Sequence, residues 1–224
     1  FDLGGIALPK GSSSFNLFEK QVSKIRKTYE MQISGYNENQ ALAVMLAMNN
    51  TAGNGLGIGL PSGTIRVIDD NGFVGEASAK ETPKGEDLEI NTGNAFDIIG
   101  SSKLMNQTTN EHVDCTYRSL SASNTMLCGK DTGMYVATNA YSATVKNKRA
   151  EAADIVLTYS PYGDWVMENE SMPSVKLSQN QVEWRFTIPA NSEKELSFTI
   201  RSKTSSDVYP YYASDSVYGS VQSV

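Results

Sequence analysis

Four glycines at alternate positions, Gly53, Gly55, Gly57 and Gly59, stand in the stretch NNTAGNGLGIGLPSGTIRVIDDNG. They are the first residues in the chain whose type and spacing could do chemistry, because a glycine-rich loop can cradle phosphate. A dinucleotide loop needs G-x-G-x-x-G between a strand and a helix, so that helix N-terminal amides meet the pyrophosphate. After Gly53 and Gly55 the third position is Ile58, and after Gly55 and Gly57 it is Leu60. No Gly-Lys-Ser/Thr follows, and Pro61 and Gly63 open a strand instead of a helix. The run therefore reads as an approach to a β-hairpin, where a second backbone, for instance that of another domain, passes close to residues without side chains.

The other chemistry-bearing residues are few. His112 is the only histidine, and no G-x-S-x-G precedes a serine, so a Ser-His-Asp triad has little to build on. Asp69, Asp70 and Asn71 could offer oxygen ligands to calcium, but their spacing matches no EF-hand and a hairpin turn explains them equally. Acidic residues number 25, so some pair of carboxylates will be close in any fold, and proximity alone does not indicate a glycosidase. Cys115 and Cys128 lie in one irregular segment. They read either as a disulfide closing a small loop, worth about 3 kcal/mol, or as two free thiols. The expectation is of no catalytic, cofactor-binding or metal-binding residue.

The elements that would position any site are strands. Residues 16 to 33 contain Val22, Ile25 and Tyr29 at helical spacing, but Tyr29, Met31 and Ile33 alternate, which favours strands. ALAVMLAM (41 to 48) is apolar on both faces, as a central strand would be. Asn71-Gly72 marks a hairpin, and a glycine turn at Gly93 separates EDLEIN from NAFDIIGS. From Met134, short alternating strands with turn signals between them describe an immunoglobulin-like sandwich with Trp184 and Trp165 in its core. The fold class is all-β: two tandem β-sandwich domains, the second immunoglobulin-like, with an extended C-terminal tail. The expected divisions are 1–102 for the first sandwich, 103–133 for an irregular insert or linker, 134–203 for the second sandwich and 204–224 for the tail.

Composition narrows the partners. Against 25 acidic residues stand 19 basic ones, a net charge of −6. This argues against nucleic acid, which needs a clustered basic surface. No apolar run reaches the roughly 18 residues that cross a bilayer, so membrane insertion is not expected. The chain begins at Phe1, which leaves an export signal open. The tail holds Tyr209, Tyr211, Tyr212 and Tyr218 among serines. It reads as a disordered end or as an arm whose tyrosines dock on a neighbouring subunit.

Several stretches in fixed order resemble a known family. Asn49-Asn50, GLGIGLPSGTIRV, FVGE, TPKGE and GNAFDI are followed later by VKNK, GDW and W-x-F-x-I-P-A. Over roughly residues 1 to 202 the series is similar to the C-terminal part of the family called domain of unknown function 4139. Glu81 stands where that family usually has His, residues 104 to 133 are longer than its link, and the tail has no counterpart there. The resemblance implies no catalytic residues. It implies an exterior, extracellular location, since many members look exported and related segments occur among virus-encoded structural proteins.

The leading expectation is a non-enzymatic structural or interaction protein on an exterior surface, such as a capsid decoration or tail-associated virion component. Its partners would be protein subunits, self or a neighbouring structural protein, engaged through the tail. The alternative is a secreted or cell-surface binding module, for glycans or protein adhesion, with Tyr141, Tyr159 and Tyr162 as platforms. A hydrolase with paired carboxylates comes third.

Overall fold

The computed structural model describes residues 17–70, 72–111, 115–120, 123–128 and 133–206. It is built of strands, with one 3-10 turn at Ala52–Asn54. In chain order the strands are β1 (Arg26–Gln32), β2 (Tyr36–Asn49), β3 (Gly63–Asp69), β4 (Gly72–Ala79), β5 (Asp87–Glu111), β6 (Cys115–Leu120) and β7 (Ser123–Cys128). They continue with β8 (Gly133–Asn147), β9 (Ala153–Tyr159), β10 (Asp164–Glu168), β11 (Val175–Ser178), β12 (Gln181–Ile188) and β13 (Ser192–Ser206). Nine of them form one mixed sheet in the order β10-β13-β8-β5-β2-β1-β9-β12-β11, while β3-β4 and β6-β7 are separate two-stranded sheets. The all-β expectation therefore holds.

The chain divides into two compact units. Among the described residues the first takes 17–28 and 43–94, and the second takes 29–42 and everything from 95 onward. The expected boundary at 102 does not coincide with this division. β2 and β5 are long strands that pass from one unit into the other, so each unit is assembled from separated pieces of chain. The strands of 134–203 are present, but they share their sheet with β1, β2 and β5, and β1 pairs with β9 in parallel. Purely antiparallel strand reading does not anticipate that partner.

The second unit buries one face of each of its alternating strands. Val182, Trp184 and Ile188 on β12 and Leu196, Phe198 and Ile200 on β13 are all core residues. β12 and β13 are not neighbours in the sheet, yet the Trp184 and Phe198 rings lie 4.7 Å apart. The sheet has therefore folded over on itself, and the aromatic pair fills the interior between its two layers. The fold nearly closes. β10 and β11 are the two ends of the sheet order, and the Trp165 Nε1–H donates to the Gln179 carbonyl at 2.6 Å. Gln179 Nε2 donates back to the Gly163 carbonyl at 3.3 Å, and Lys176 Nζ sits 4.4 Å over the Trp165 ring. Trp165, expected in the core, is instead half-buried and links the two edges through its side chain.

The first unit packs the β3-β4 hairpin against its part of β2 and β5. Leu46, Met48, Leu88 and Ile90 meet Leu60 and Ala79, with Val22, Leu56, Ile58, Ile65, Val67 and Ala77 around them. Val22 packs here from a segment without regular structure, so the helical spacing of Val22 and Ile25 reflects no helix. At Gly75 a Cβ would press on Thr92, which is why the FVGE stretch carries glycine there.

Two further expectations change. The turn at Gly93 is not a reversal: β5 runs through it, with Gly93 at φ +121° and its amide donating to Asn91 Oδ1 at 2.8 Å. The glycine absorbs a local irregularity inside a continuous strand. The segment 103–133 is not irregular throughout. β5 extends to Glu111 and pairs with β8 along this stretch, and β6-β7 forms a hairpin.

Candidate interaction surface

The glycine run is organised by a buried asparagine. Asn50 is fully buried. Its Nδ2 donates to the carbonyls of Ile58 (2.7 Å), Pro83 (2.8 Å) and Thr82 (3.3 Å), and its Oδ1 accepts the Gly57 amide at 2.9 Å. Its backbone closes the clamp, donating to Glu86 and accepting from Gly85. A single side chain thus ties the glycine run to the TPKGE turn. A carboxamide suits the position because it supplies donors and an acceptor without charge. The glycines follow from that path. Gly55 (φ +90°) and Gly57 (φ +77°) adopt left-handed backbone, and a Cβ on them would overlap the Gln21 carbonyl and the Ala52 backbone respectively. Gly53 and Gly59 face open space. The close backbone expected from the sequence exists, but it belongs to the same unit.

Asn147 repeats the device in the second unit. It is buried, its Nδ2 reaches the carbonyls of Glu151 (2.8 Å), Pro189 (2.9 Å) and Ile188 (3.2 Å), and its Oδ1 accepts the Arg149 amide at 3.0 Å. The VKNK and I-P-A motifs are the two sides of that clamp. The motifs that carry the family resemblance are in these places architectural.

Asn54 builds a surface feature. Its Oδ1 accepts the Lys24 amide (2.7 Å) and the Ser23 hydroxyl (3.1 Å), and its Nδ2 donates to the Lys24 and Asn49 carbonyls. This fixes the segment before β1 beside the end of β2. Between them lies a groove of about 540 Å³ lined by Lys24, Ile25, Arg26, Met48, Asn49 and Asp87, among others. Lys24 and Arg26 are two positions apart and both exposed, and neither makes an ion pair among the described residues. Asp87 is engaged by the Asn49 side chain at 2.9 Å. Ile25 is 43% exposed at the rim.

The second surface feature is the outer end of the β3-β4 hairpin. Its inner half joins the core, but Ile68 and Phe73 are 69% and 67% exposed, with Val74 beside them. Ile68 and Phe73 are direct cross-strand partners beyond a bulge at Val67/Ile68, so their side chains form one apolar pair. Asp69 and Asp70 follow at the turn, and Arg66 is already paired with Glu76 at 2.7 Å. Alternation in the sequence marks which residues share a face and not whether anything covers it, so this exposure was not legible there.

The candidate residues named from the sequence fall as follows. Tyr141 and Tyr159 do not form an open platform. The Tyr141 ring stacks on Phe198 and the Tyr159 ring meets it edge-on, both at 5.3 Å, and the two hydroxyls are 3.2 Å apart. Burial, with the Tyr141 hydroxyl and its charge adding to it, pushes the Tyr159 phenol well above its ordinary value. Tyr162 is exposed and separate. The backbone register sets Cys115 opposite Cys128 in the β6-β7 hairpin, while their side chains lie outside the described residues. His112, Asn71 and the tail tyrosines Tyr209, Tyr211, Tyr212 and Tyr218 also lie outside them. Among the described residues no three His, Cys, Asp or Glu side chains gather as metal ligands would, and no helix is long and apolar enough to cross a membrane.

No family model, no curated protein and no solved structure matches the chain, so the family resemblance rests on the quoted motifs.

Proposed function

We propose that this chain is a non-enzymatic structural and interaction protein of an exterior surface, as a virion component would be. The observation that carries the reading is the exposed Ile68–Phe73 pair on a hairpin whose other half is packed into a core. Large apolar side chains paired at the end of an element, rimmed by charge, mark a contact site. The buried carboxamides of Asn50, Asn54 and Asn147 support the reading from the other side. Their hydrogen bonds are spent on holding backbone in place. The register of Cys115 and Cys128 suits a cross-strand disulfide, which an oxidising exterior would preserve.

The glycan-binding alternative loses most of its platform, because Tyr141 and Tyr159 pack against each other and Phe198, and of the three only Tyr162 stands free of that cluster. Antibody raised against the purified chain tests the exterior role. It should decorate intact particles or cells of the source, and labelling that appears only after lysis would contradict the location.

A further inference from the structure

We propose that the hairpin end of one copy docks in the Lys24/Arg26 groove of a second copy, making a head-to-tail assembly. The inference deepens the interaction reading above and rests on it.

Three observations select this occupant. The first is chemical complementarity. The hairpin end offers Ile68 and Phe73 beside Asp70, and the groove offers the exposed Ile25 beside Lys24 and Arg26, with the buried Met48 at its floor. Each side holds an apolar contact, and the hairpin turn's Asp70 is opposite in sign to the groove's two cations. Asp87, the groove's own carboxylate, accepts from the Asn49 side chain and makes no ion pair with Lys24 or Arg26 among the described residues. The second is size. A groove of about 540 Å³ is of the order of a small-ligand pocket, so it has room for two side chains.

The third is geometry within one copy. Both features belong to the first unit. Asn49 and Asp87 mark the groove at one end of β2 and β5, whereas the hairpin lies against β5 at Thr92, with its end beyond that point. Thr92 lies five positions along the strand from Asp87, about 17 Å. A hairpin anchored by Gly75 in its own unit cannot reach its own groove, so the two surfaces meet only between copies. Because the surfaces differ, the contact is heterologous, and repetition gives a ring or an open chain. That is the kind of contact a repetitive exterior layer requires.

The experiment uses full-length chains. Sedimentation velocity across a concentration series should show the wild type associating, and raising the salt should weaken the association because the contact pairs opposite charges near the surface. F73D should weaken it at least tenfold, and K24E/R26E by a similar factor, with far-UV circular dichroism showing both folded. Mixing these two variants is the decisive arm. Each retains one intact surface, so the mixture should form complexes limited to two copies. A wild type that stays monomeric overturns the proposal. So does a variant that assembles like wild type, or a mixture that gains no dimer. The antibody-labelling experiment reads the exterior role independently, so failure of the docking is distinguishable from failure of that reading.

Discussion

Asn50→Ala removes the side chain that holds the glycine run, and its cost can be worked from the bonds. The Thr82 carbonyl still accepts the Leu60 amide at 2.9 Å, and the Pro83 carbonyl still accepts Glu86 at 3.3 Å. The Ile58 carbonyl and the Gly57 amide keep no other partner among the described residues. Each buried polar group left unpaired costs about 1–3 kcal/mol, so the two together should cost about 2–6 kcal/mol. With a urea slope of about 2 kcal/mol per molar, the midpoint moves down by about 1–3 M. The assay can assign the loss to a unit. Trp165 and Trp184 are the chain's two tryptophans, and both belong to the second unit, so their fluorescence reports that unit while far-UV circular dichroism reports both. The dichroism transition should shift more than the fluorescence transition for Asn50→Ala, and Asn147→Ala should shift the fluorescence transition by a comparable amount. A midpoint for Asn50→Ala within about 0.3 M of wild type would refute the reasoning, because water would then be replacing the clamp at no cost.

Other predictions follow from single positions. Gly55→Ala should cost about 2 kcal/mol or more, from left-handed strain and overlap with the Gln21 carbonyl. Gly53→Ala, beside it in open space, should stay within about 0.5 kcal/mol, both read by urea denaturation. Burial raises the folded pKa of the Tyr159 phenol above a tyrosine's ordinary value of 10.0. Its contribution to stability is therefore full below about pH 10 and is lost as pH rises toward the folded value. Tyr159→Phe should flatten the alkaline fall in urea midpoint, and an unchanged slope would contradict the assignment. Cys115 and Cys128 are expected to be joined, so alkylation of the unfolded, unreduced chain should label neither. Labelling of both by mass spectrometry would show free thiols.

Much of the strand content was legible because alternation survives in the sequence wherever one face is buried. Trp184 and Phe198 are two such residues, and the structure places both in the core. The Asn71-Gly72 hairpin was legible for a local reason too, since its turn chemistry lies within four residues. What could not be read depends on contacts distant in sequence. The parallel pairing of Tyr29 with Ile155 leaves no mark on either segment. Gly93 resembles a turn because its left-handed backbone needs glycine, yet the strands beyond it continue because their neighbours do. The groove combines Lys24, Asn49 and Asp87, which only the fold brings together. Asn50 looked like part of a motif, and its role became chemical only when the carbonyls around it were known.

The interaction role of the first unit is tested most directly by mixing F73D with K24E/R26E at concentrations where the wild type associates. The account predicts two species that are each monomeric alone and that pair on mixing, with no complex larger than a dimer. Absence of pairing, or association of either variant alone at wild-type strength, would contradict it.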